Sequence, residues 1–146
     1  MEARESLERE SLNLKDEPYL ITSDSTDTYN CIAWAANDTE RWWWPHPDAY
    51  WPIGVPRIET LDSFTRAFQT LGYDPCEDGV PEAGYVKLVI YLNAQGTPTH
   101  IARQLPAGRW TSKLGESWDI EHQTALGVEG NAYGRVGQYL KKAIEP

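Results

Sequence analysis

One cysteine and one histidine have the residue types and surroundings that a thiol nucleophile and its base require. Cys31 begins a short alanine-rich run, Cys-Ile-Ala-Trp-Ala-Ala, which favours a helix. A thiol at the start of a helix lies near unpaired backbone N–H groups, which lower its pKa and favour the reactive thiolate. His100 lies in a strand-like run, Thr-His-Ile-Ala-Arg-Gln-Leu, where it can be held as a proton acceptor. We therefore expect a Cys31–His100 dyad.

A third polar group is needed to orient the imidazole of His100. If Leu105 pairs with Trp110 across a four-residue turn, Thr111 lies on the face of the sheet that carries the histidine. A β-bulge would shift Ser112 to that face instead. The sequence leaves the choice open among four candidates, which are Thr111, Ser112, Glu121 and His122.

The remaining cysteine and the histidine at position 46 are weaker candidates for catalysis. Cys76 lies in a turn-like run, Asp-Pro-Cys-Glu-Asp-Gly, whose carboxylates should raise the pKa of its thiol. His46 lies between two prolines, which favours a surface or stacking role. The cysteines and histidines have no recognisable metal-ligand spacing, so we expect neither a metal site nor a cofactor.

A tryptophan-rich loop follows the predicted cysteine-bearing helix. Residues 42–52 contain four Trp and three Pro, a composition that excludes a regular helix or strand. The rings either complete the core or form an aromatic wall beside Cys31 that suits sugar faces and extended peptides. If the rings form such a wall, we expect the substrate to contact residues of this loop and residues near the dyad. These are Tyr29, Asn30, Trp42, Trp43, Trp44, Trp51 and Lys113.

Hydrophobic periodicity predicts an α+β fold, in which the cysteine-bearing helix packs on an antiparallel β-meander. The expected elements are a helix over 29–37 capped by Asp27 or Thr28, a helix over 61–71 capped by Thr60, a turn over 73–79, strands over 85–92, 99–105 and 110–114, and a C-terminal helix from Asn131 to about residue 144. Helices followed by a run of strands indicate an α+β domain.

Length and charge limit the class of protein. A chain of 146 residues is long enough for one domain, which we place at 27–146 behind an acidic, loosely structured arm at 1–26. Residues 1–40 hold ten acidic against three basic residues, and the net charge of −9 argues against a nucleic-acid partner. The N-terminus lacks a secretory pattern and no apolar run is long enough to span a membrane, so we expect a cytoplasmic protein with no membrane partner. The oligomeric state is left open.

Four short motifs carry a family resemblance: Tyr29-Asn30-Cys31, Thr99-His100, the run Trp-Thr-Ser-Lys-Leu-Gly over 110–115, and Asp-Ile-Glu-His over 119–122. Together they resemble the papain-like cysteine hydrolases of the NlpC and CHAP type, which are small bacterial amidase and peptidase domains, and more closely an uncharacterised bacterial domain of that sort. The resemblance implies a thiol hydrolase that cuts an amide bond of a peptide or protein substrate through an acyl-enzyme.

Two other functions are compatible with the same residues. The first is a binding module that uses the tryptophan loop as a platform and leaves the dyad unused. The second is a deamidase or transferase of a bacterial toxin or defence system, in which the same pair modifies a glutamine of a protein. The sequence names no particular substrate for any of the three.

Overall fold

The described part of the chain is an α+β domain built on one antiparallel sheet. The computed structural model describes residues 28–106, 108–113, 119–130 and 133–144, together with residues 19–22 and the single residues 8, 14 and 17. Its elements are β1 (Tyr19–Ile21), α1 (Cys31–Ala35), α2 (Leu61–Gln69), β2 (Asp74–Cys76), β3 (Tyr85–Leu92), β4 (Pro98–Gln104), β5 (Trp110–Lys113), β6 (Asp119–His122), a 3-10 turn (Ala125–Val128) and β7 (Arg135–Ala143). The predicted α+β class is confirmed.

The seven strands lie in the order β1-β6-β5-β4-β3-β7-β2, and each pair is antiparallel. The predicted meander is present as β3 to β6. Side chains of β3 alternate between two cores, as the period-two pattern predicts. Leu88 and Ile90 face a cluster that includes α1, α2 and part of the tryptophan loop, whereas Val89 and Tyr91 face a second cluster on the other side of the sheet.

Both helices form where the sequence predicts them, but they are shorter. The cap of α1 is Asn30, whose side chain accepts a hydrogen bond from Ala33 N, so the predicted caps at 27 and 28 are wrong. Thr60 caps α2 as predicted by accepting from Ser63 N, and α2 buries Phe64 in the core. Burial of an apolar face, more than helix propensity, stabilises such short helices.

The predicted C-terminal helix is wrong, because residues 135–143 form β7 between β3 and β2. Gly134 has a φ of 80° and Gly137 lies against Leu92, so that a Cβ at either position would clash with that residue. Glycine is costly inside a helix but permits this close approach of two strands. Asn131, the predicted helix cap, lies outside the described residues.

Two segments expected to be irregular also join the sheet. Tyr19–Ile21 pairs with β6, and Leu14 and Tyr19 are buried, so the expected loose arm is wrong for these residues. For the rest of residues 1–26, the expected loose arm lies largely outside the described residues. The predicted turn at 73–79 contains β2, which pairs with β7 at the edge of the sheet. In the part of the chain that the structure describes, no helix is long and apolar enough to cross a membrane.

Candidate active site

Asn30 joins the cysteine-bearing helix to the tryptophan loop. Its Oδ1 accepts from Ala33 N at 3.1 Å, which caps α1, and from Trp43 N at 3.0 Å. Its Nδ2 donates to Trp43 O at 2.7 Å. A carboxylate could accept the first two bonds but could not donate the third. An amide at this position can cap the helix and can also accept from the N–H and donate to the carbonyl of Trp43. This explains why an asparagine precedes the cysteine.

Cys31 is the first residue of α1 and its side chain is almost completely buried, with 6% of the residue exposed. Its Sγ donates to the carbonyl oxygen of Thr99, near the start of β4, at 3.9 Å. The backbone N–H groups of Ile101, Ile32 and Cys31 itself lower the pKa of the thiol, but burial has the largest effect and raises it to about 11. The expected low pKa is therefore wrong for this structure, and the thiol is protonated at neutral pH.

Three buried side chains from neighbouring strands form a hydrogen-bonded relay. His100 Nε2 lies 3.0 Å from Ser112 Oγ, and the same oxygen lies 2.7 Å from His122 Nε2. His122 Nδ1 lies 2.8 Å from the carbonyl oxygen of Thr124. All three side chains of the relay are fully buried. The relay therefore connects the central strand β4 to the end of β6 through β5.

Both histidines of the relay are neutral at physiological pH. The pKa of His100 is lowered to about 3, mainly by burial and to a smaller extent by the nearby His122. Burial likewise lowers the pKa of His122 to about 4, against an opposing effect of the Thr124 carbonyl. A neutral imidazole has one N–H and one lone pair, so the direction of each hydrogen bond in the relay can be deduced.

The Thr124 carbonyl fixes the position of every proton in the relay. Because a carbonyl only accepts, His122 Nδ1 carries the proton and its Nε2 has the lone pair. Ser112 must then donate its O–H to His122 and accept from His100 Nε2–H. This leaves the lone pair of His100 on Nδ1, which is buried and has no hydrogen-bond partner within the described part of the chain. The relay thus leaves the lone pair of one ring nitrogen unshared, on an imidazole whose pKa burial lowers to about 3.

The position of Ser112 follows from the register of β4 and β5. Gln104, and not Leu105, pairs with Trp110, so the connecting loop is one residue longer than expected. The shift places Ser112 on the face of His100. Thr111 then lies on the other face, where its Oγ1 accepts from Trp34 Nε1 at 3.1 Å. The sequence correctly included Ser112 among its alternatives, but the predicted pairing of Leu105 with Trp110 is wrong.

No hydrogen bond joins Cys31 to His100. The sulfur lies near the start of β4, beside the Thr99 carbonyl and the Ile101 amide. These two backbone groups flank His100 in the chain. Side chains alternate along a strand, so His100 and Ile101 point to opposite faces, and Ile101 packs in the same cluster as Cys31. The thiol therefore lies against the backbone on both sides of His100, while the imidazole ring lies on the opposite face of the sheet. The expected contact between the two side chains of the dyad is not formed in this structure.

Two other predicted site residues lie outside the relay. Glu121 is half-exposed and its Oε1 lies 3.5 Å from Arg109 Nε, so its predicted place beside His100 is wrong. Lys113 is fully buried with its Nζ 5.6 Å from the centre of the Tyr29 ring. Its positive charge lowers the pKa of Cys31, although less than burial raises it. Lys113 acts on the thiol by its charge and does not line the cleft described next.

A cleft of about 490 Å³ opens above Cys31. Its described lining consists of Asn30, Cys31, Trp42, Trp44, His46, Asp48, Ala49, Thr99 and Tyr133. The volume lies within the range of about 300–1,000 Å³ that is typical of small-molecule sites. The predicted aromatic wall beside the cysteine is thus formed by two tryptophans of the loop and a tyrosine.

The loop divides between the core and the cleft. Trp43 and Trp51 are buried at 4% and 2% exposure, so their predicted substrate contact is wrong. Trp51 packs edge-on against Phe64 at 5.1 Å. Tyr29 does not line the cleft either, because its ring stacks on Trp34 and its hydroxyl donates to Asp119. Trp42 and Trp44 remain as the loop tryptophans that face the cleft.

Sequence reasoning missed two residues that shape the site. Tyr133 stacks on the His100 ring at 4.3 Å and also lines the cleft. Thr99 supplies the carbonyl that accepts from the thiol, and its hydroxyl donates to Tyr133 O. The adjacency of Thr99 to His100 was a usable signal. No local pattern marks Tyr133, which reaches the site from the segment before β7.

Cys76 lies at the end of β2 and is half-buried. The pKa of its thiol is raised mainly by burial, and the carboxylate of Asp78 adds a smaller effect. The expected direction of the shift is confirmed, but its expected cause, the neighbouring carboxylates, is not the largest one. The positive charge of Lys87 opposes the shift.

The chain belongs to the family described as Domain of unknown function (DUF7689), whose model matches residues 20–141. This agrees with the resemblance to an uncharacterised domain. No curated protein and no solved structure matches the chain. The family description names no activity, so a function has to be argued from the site itself.

Proposed function

We propose that this protein is a papain-like, cysteine-dependent hydrolase of amide bonds, with Cys31 as nucleophile and His100 as base. One observation carries the proposal, namely the buried lone pair on His100 Nδ1, which has no hydrogen-bond partner among the described residues. A buried polar atom without a partner costs free energy and calls for an explanation, and the role of proton acceptor provides one. The Cys31 thiol, which lies against the backbone of the same strand from the other face of the sheet, is the group that such a base would serve.

The arrangement of elements also supports the proposal. A short helix carries the cysteine, and three consecutive strands of a meander carry the polar groups His100, Ser112 and His122. The tyrosines on either side of His100 fix its ring, with Tyr133 stacked at 4.3 Å and Tyr91 at 5.2 Å. Packing and hydrogen bonds therefore hold the ring in one orientation.

In the proposed reaction, Cys31 Sγ attacks the carbonyl carbon of the substrate while its proton passes to His100 Nδ1. The C–N bond then breaks, and the imidazolium returns the proton to the departing amine, which leaves a thioester on the sulfur. Water next gives a proton to Nδ1 and attacks the thioester. The acid is released, and the sulfur regains the proton from the imidazolium.

The resting dyad in this proposal is a neutral thiol beside a neutral imidazole. At a thiol pKa of about 11, roughly one thiol in 10⁴ is ionised at pH 7. Proton transfer must therefore accompany the attack on the substrate. It also requires the sulfur to leave the Thr99 carbonyl and the start of β4 to rearrange so that the ring contacts the sulfur, because the two side chains lie on opposite faces of the sheet. Ser112 and His122 are positioning residues that keep the proton on Nε2 and the lone pair on Nδ1.

A panel of fluorogenic peptide and acyl amides tests the proposal. The wild type and the matched control Cys76→Ser should release the fluorophore from at least one amide, whereas Cys31→Ala should not. His100→Gln should lose about 10²- to 10⁴-fold in kcat/KM, the usual contribution of a general base. Equal activity of Cys31→Ala and the wild type would overturn the proposal, and that variant decides the question even if His100→Gln fails to fold.

A second candidate function is a binding module that uses the cleft without chemistry. The protonated Cys31 thiol, which donates to Thr99 O, favours this alternative. The two functions differ in one measurable respect. A binding module keeps its ligand affinity in Cys31→Ala and shows no amide cleavage by the wild type, whereas a hydrolase loses turnover in that variant.

A further inference from the structure

The described lining of the cleft above Cys31 combines aromatic rings with one formally charged side chain, and that charge is negative. Trp42, Trp44 and Tyr133 contribute the rings, and Asp48 contributes a carboxylate. Among the described lining residues there is no Lys or Arg. The faces of tryptophan and tyrosine rings carry negative potential, and they attract cations that shed their water easily.

The carboxylate of Asp48 is available to a ligand. Its side chain is 93% exposed, and among the described residues it accepts no hydrogen bond. Its oxygen lies 3.7 Å from His46 Nδ1, but that nitrogen already accepts from Asp48 N at 3.2 Å. The carboxylate of Asp48 therefore lines the cleft and is exposed. A neutral His46 cannot donate a hydrogen bond to it, because the Nδ1 of His46 is already an acceptor.

The backbone around these groups is held in place. Asn30 fixes Trp43, between the two cleft tryptophans, and Arg57 donates to His46 O at 2.6 Å and to Ala49 O at 3.2 Å. Trp44 packs edge-on against Phe64 at 5.4 Å. A cleft whose rings are anchored in this way loses little entropy when a ligand binds.

We propose that the cleft recognises a weakly hydrated cation in the substrate, of the alkylammonium class, with the rings on its faces and Asp48 beside it. This inference rests on the proposed function, because it takes the cleft to be where the substrate of Cys31 binds. It narrows the substrate to amides that carry a positive group close to the bond that is cut. An anionic or strongly hydrated group at that position is disfavoured by both the rings and the carboxylate.

Choline and its uncharged isostere 3,3-dimethyl-1-butanol test the inference in Cys31→Ala protein, where no thiol chemistry can interfere. The two probes share a shape and differ in the charge of the central atom. We expect choline to bind about fivefold to tenfold more tightly in a titration that follows the tryptophan indole N–H signals by NMR, as partly desolvated cation–π contacts predict.

Two variants and a matched control identify the groups responsible. Asp48→Asn and Trp44→Leu should each reduce the preference for choline, since the first removes only the charge and the second only the ring. Asp62→Asn removes the same charge from the exposed surface of α2, where Asp62 pairs with Arg66, and should leave the preference unchanged.

Equal or tighter binding of the isostere, no binding of either probe, or a preference that survives in both cleft variants would each overturn the inference. These outcomes are separable from failure of the proposed function. If the cleft prefers choline but the protein hydrolyses no amide, the inference of a cation site holds and the proposed hydrolase is refuted. If the protein hydrolyses an amide but the cleft does not prefer choline, the hydrolase holds and the cation site is refuted.

Discussion

Mild acid should destabilise this protein, because two buried histidines take up a proton much less readily in the folded chain than in the unfolded one. The pKa is lowered from 6.5 to about 3 for His100 and to about 4 for His122, both through burial. The unfolded chain therefore binds more protons than the folded one below pH 6.5. The stabilising contribution is fully present above that pH and is lost as the pH falls toward the folded values.

The magnitude follows from the size of the shifts. At pH 5 the unfolded histidines are protonated and the folded ones are not, which costs about 2 kcal/mol for each residue and about 4 kcal/mol for both. Carboxylates contribute little to this change, because their ordinary pKa values lie near 4. A loss of this size is a large fraction of the stability of a typical domain, about 5–15 kcal/mol.

Urea denaturation followed by tryptophan fluorescence between pH 7.5 and 5 measures this loss. His100→Gln should remove about half of the pH dependence. His46→Gln, which changes an exposed histidine of the tryptophan loop, is the matched control and should keep all of it. A free energy of unfolding that is the same at pH 7 and pH 5, or a slope unaffected by His100→Gln, would refute the reasoning.

Three further predictions concern the loop and the thiol. Asn30→Asp should destabilise the fold by about 1–3 kcal/mol, measured by urea denaturation, because Trp43 O loses its donor and faces a carboxylate; an unchanged midpoint would contradict the proposed joint between helix and loop. Trp51→Ala should cost about 3–5 kcal/mol and Trp42→Ala less than about 1 kcal/mol in the same measurement, and equal losses would show that the division of the loop is wrong. In a variant that lacks the other cysteine, alkylation of Cys31 by iodoacetamide should accelerate about tenfold per pH unit from 7 to 9, and a plateau by pH 8 would contradict a thiol pKa of about 11.

The strands and helices with clear periodicity could be predicted from the sequence. The alternation in β3 and the Thr60 cap of α2 are local signals, and both elements lie within two residues of their predicted bounds. β7 could not be predicted in this way, because Gly134 and Gly137 weaken a helix without indicating a partner strand. Its position between β3 and β2 depends on packing against Leu92, a contact far away in the chain.

Residue types and motifs selected Cys31, His100 and Ser112 as candidates. The structure places Ser112 in contact with His100, but it does not place Cys31 there. The one-residue shift in the β4–β5 register, which brings Ser112 to His100, depends on the length of a loop that the sequence does not specify. The raised pKa of the thiol was also missed, because helix position is visible in the sequence and burial depth is not.

Acylation of the two cysteines by p-nitrophenyl acetate at pH 7 tests the central claim that His100 activates Cys31. Without assistance, Cys31 should react more slowly than the more exposed Cys76, because its thiol is buried and its pKa is about 11. If the account is right, peptide mass spectrometry will find the acetyl thioester first on Cys31 in the wild type and will not find it there in His100→Gln. Acetylation of Cys76 alone, or equal acetylation of Cys31 in the wild type and His100→Gln, would contradict the account.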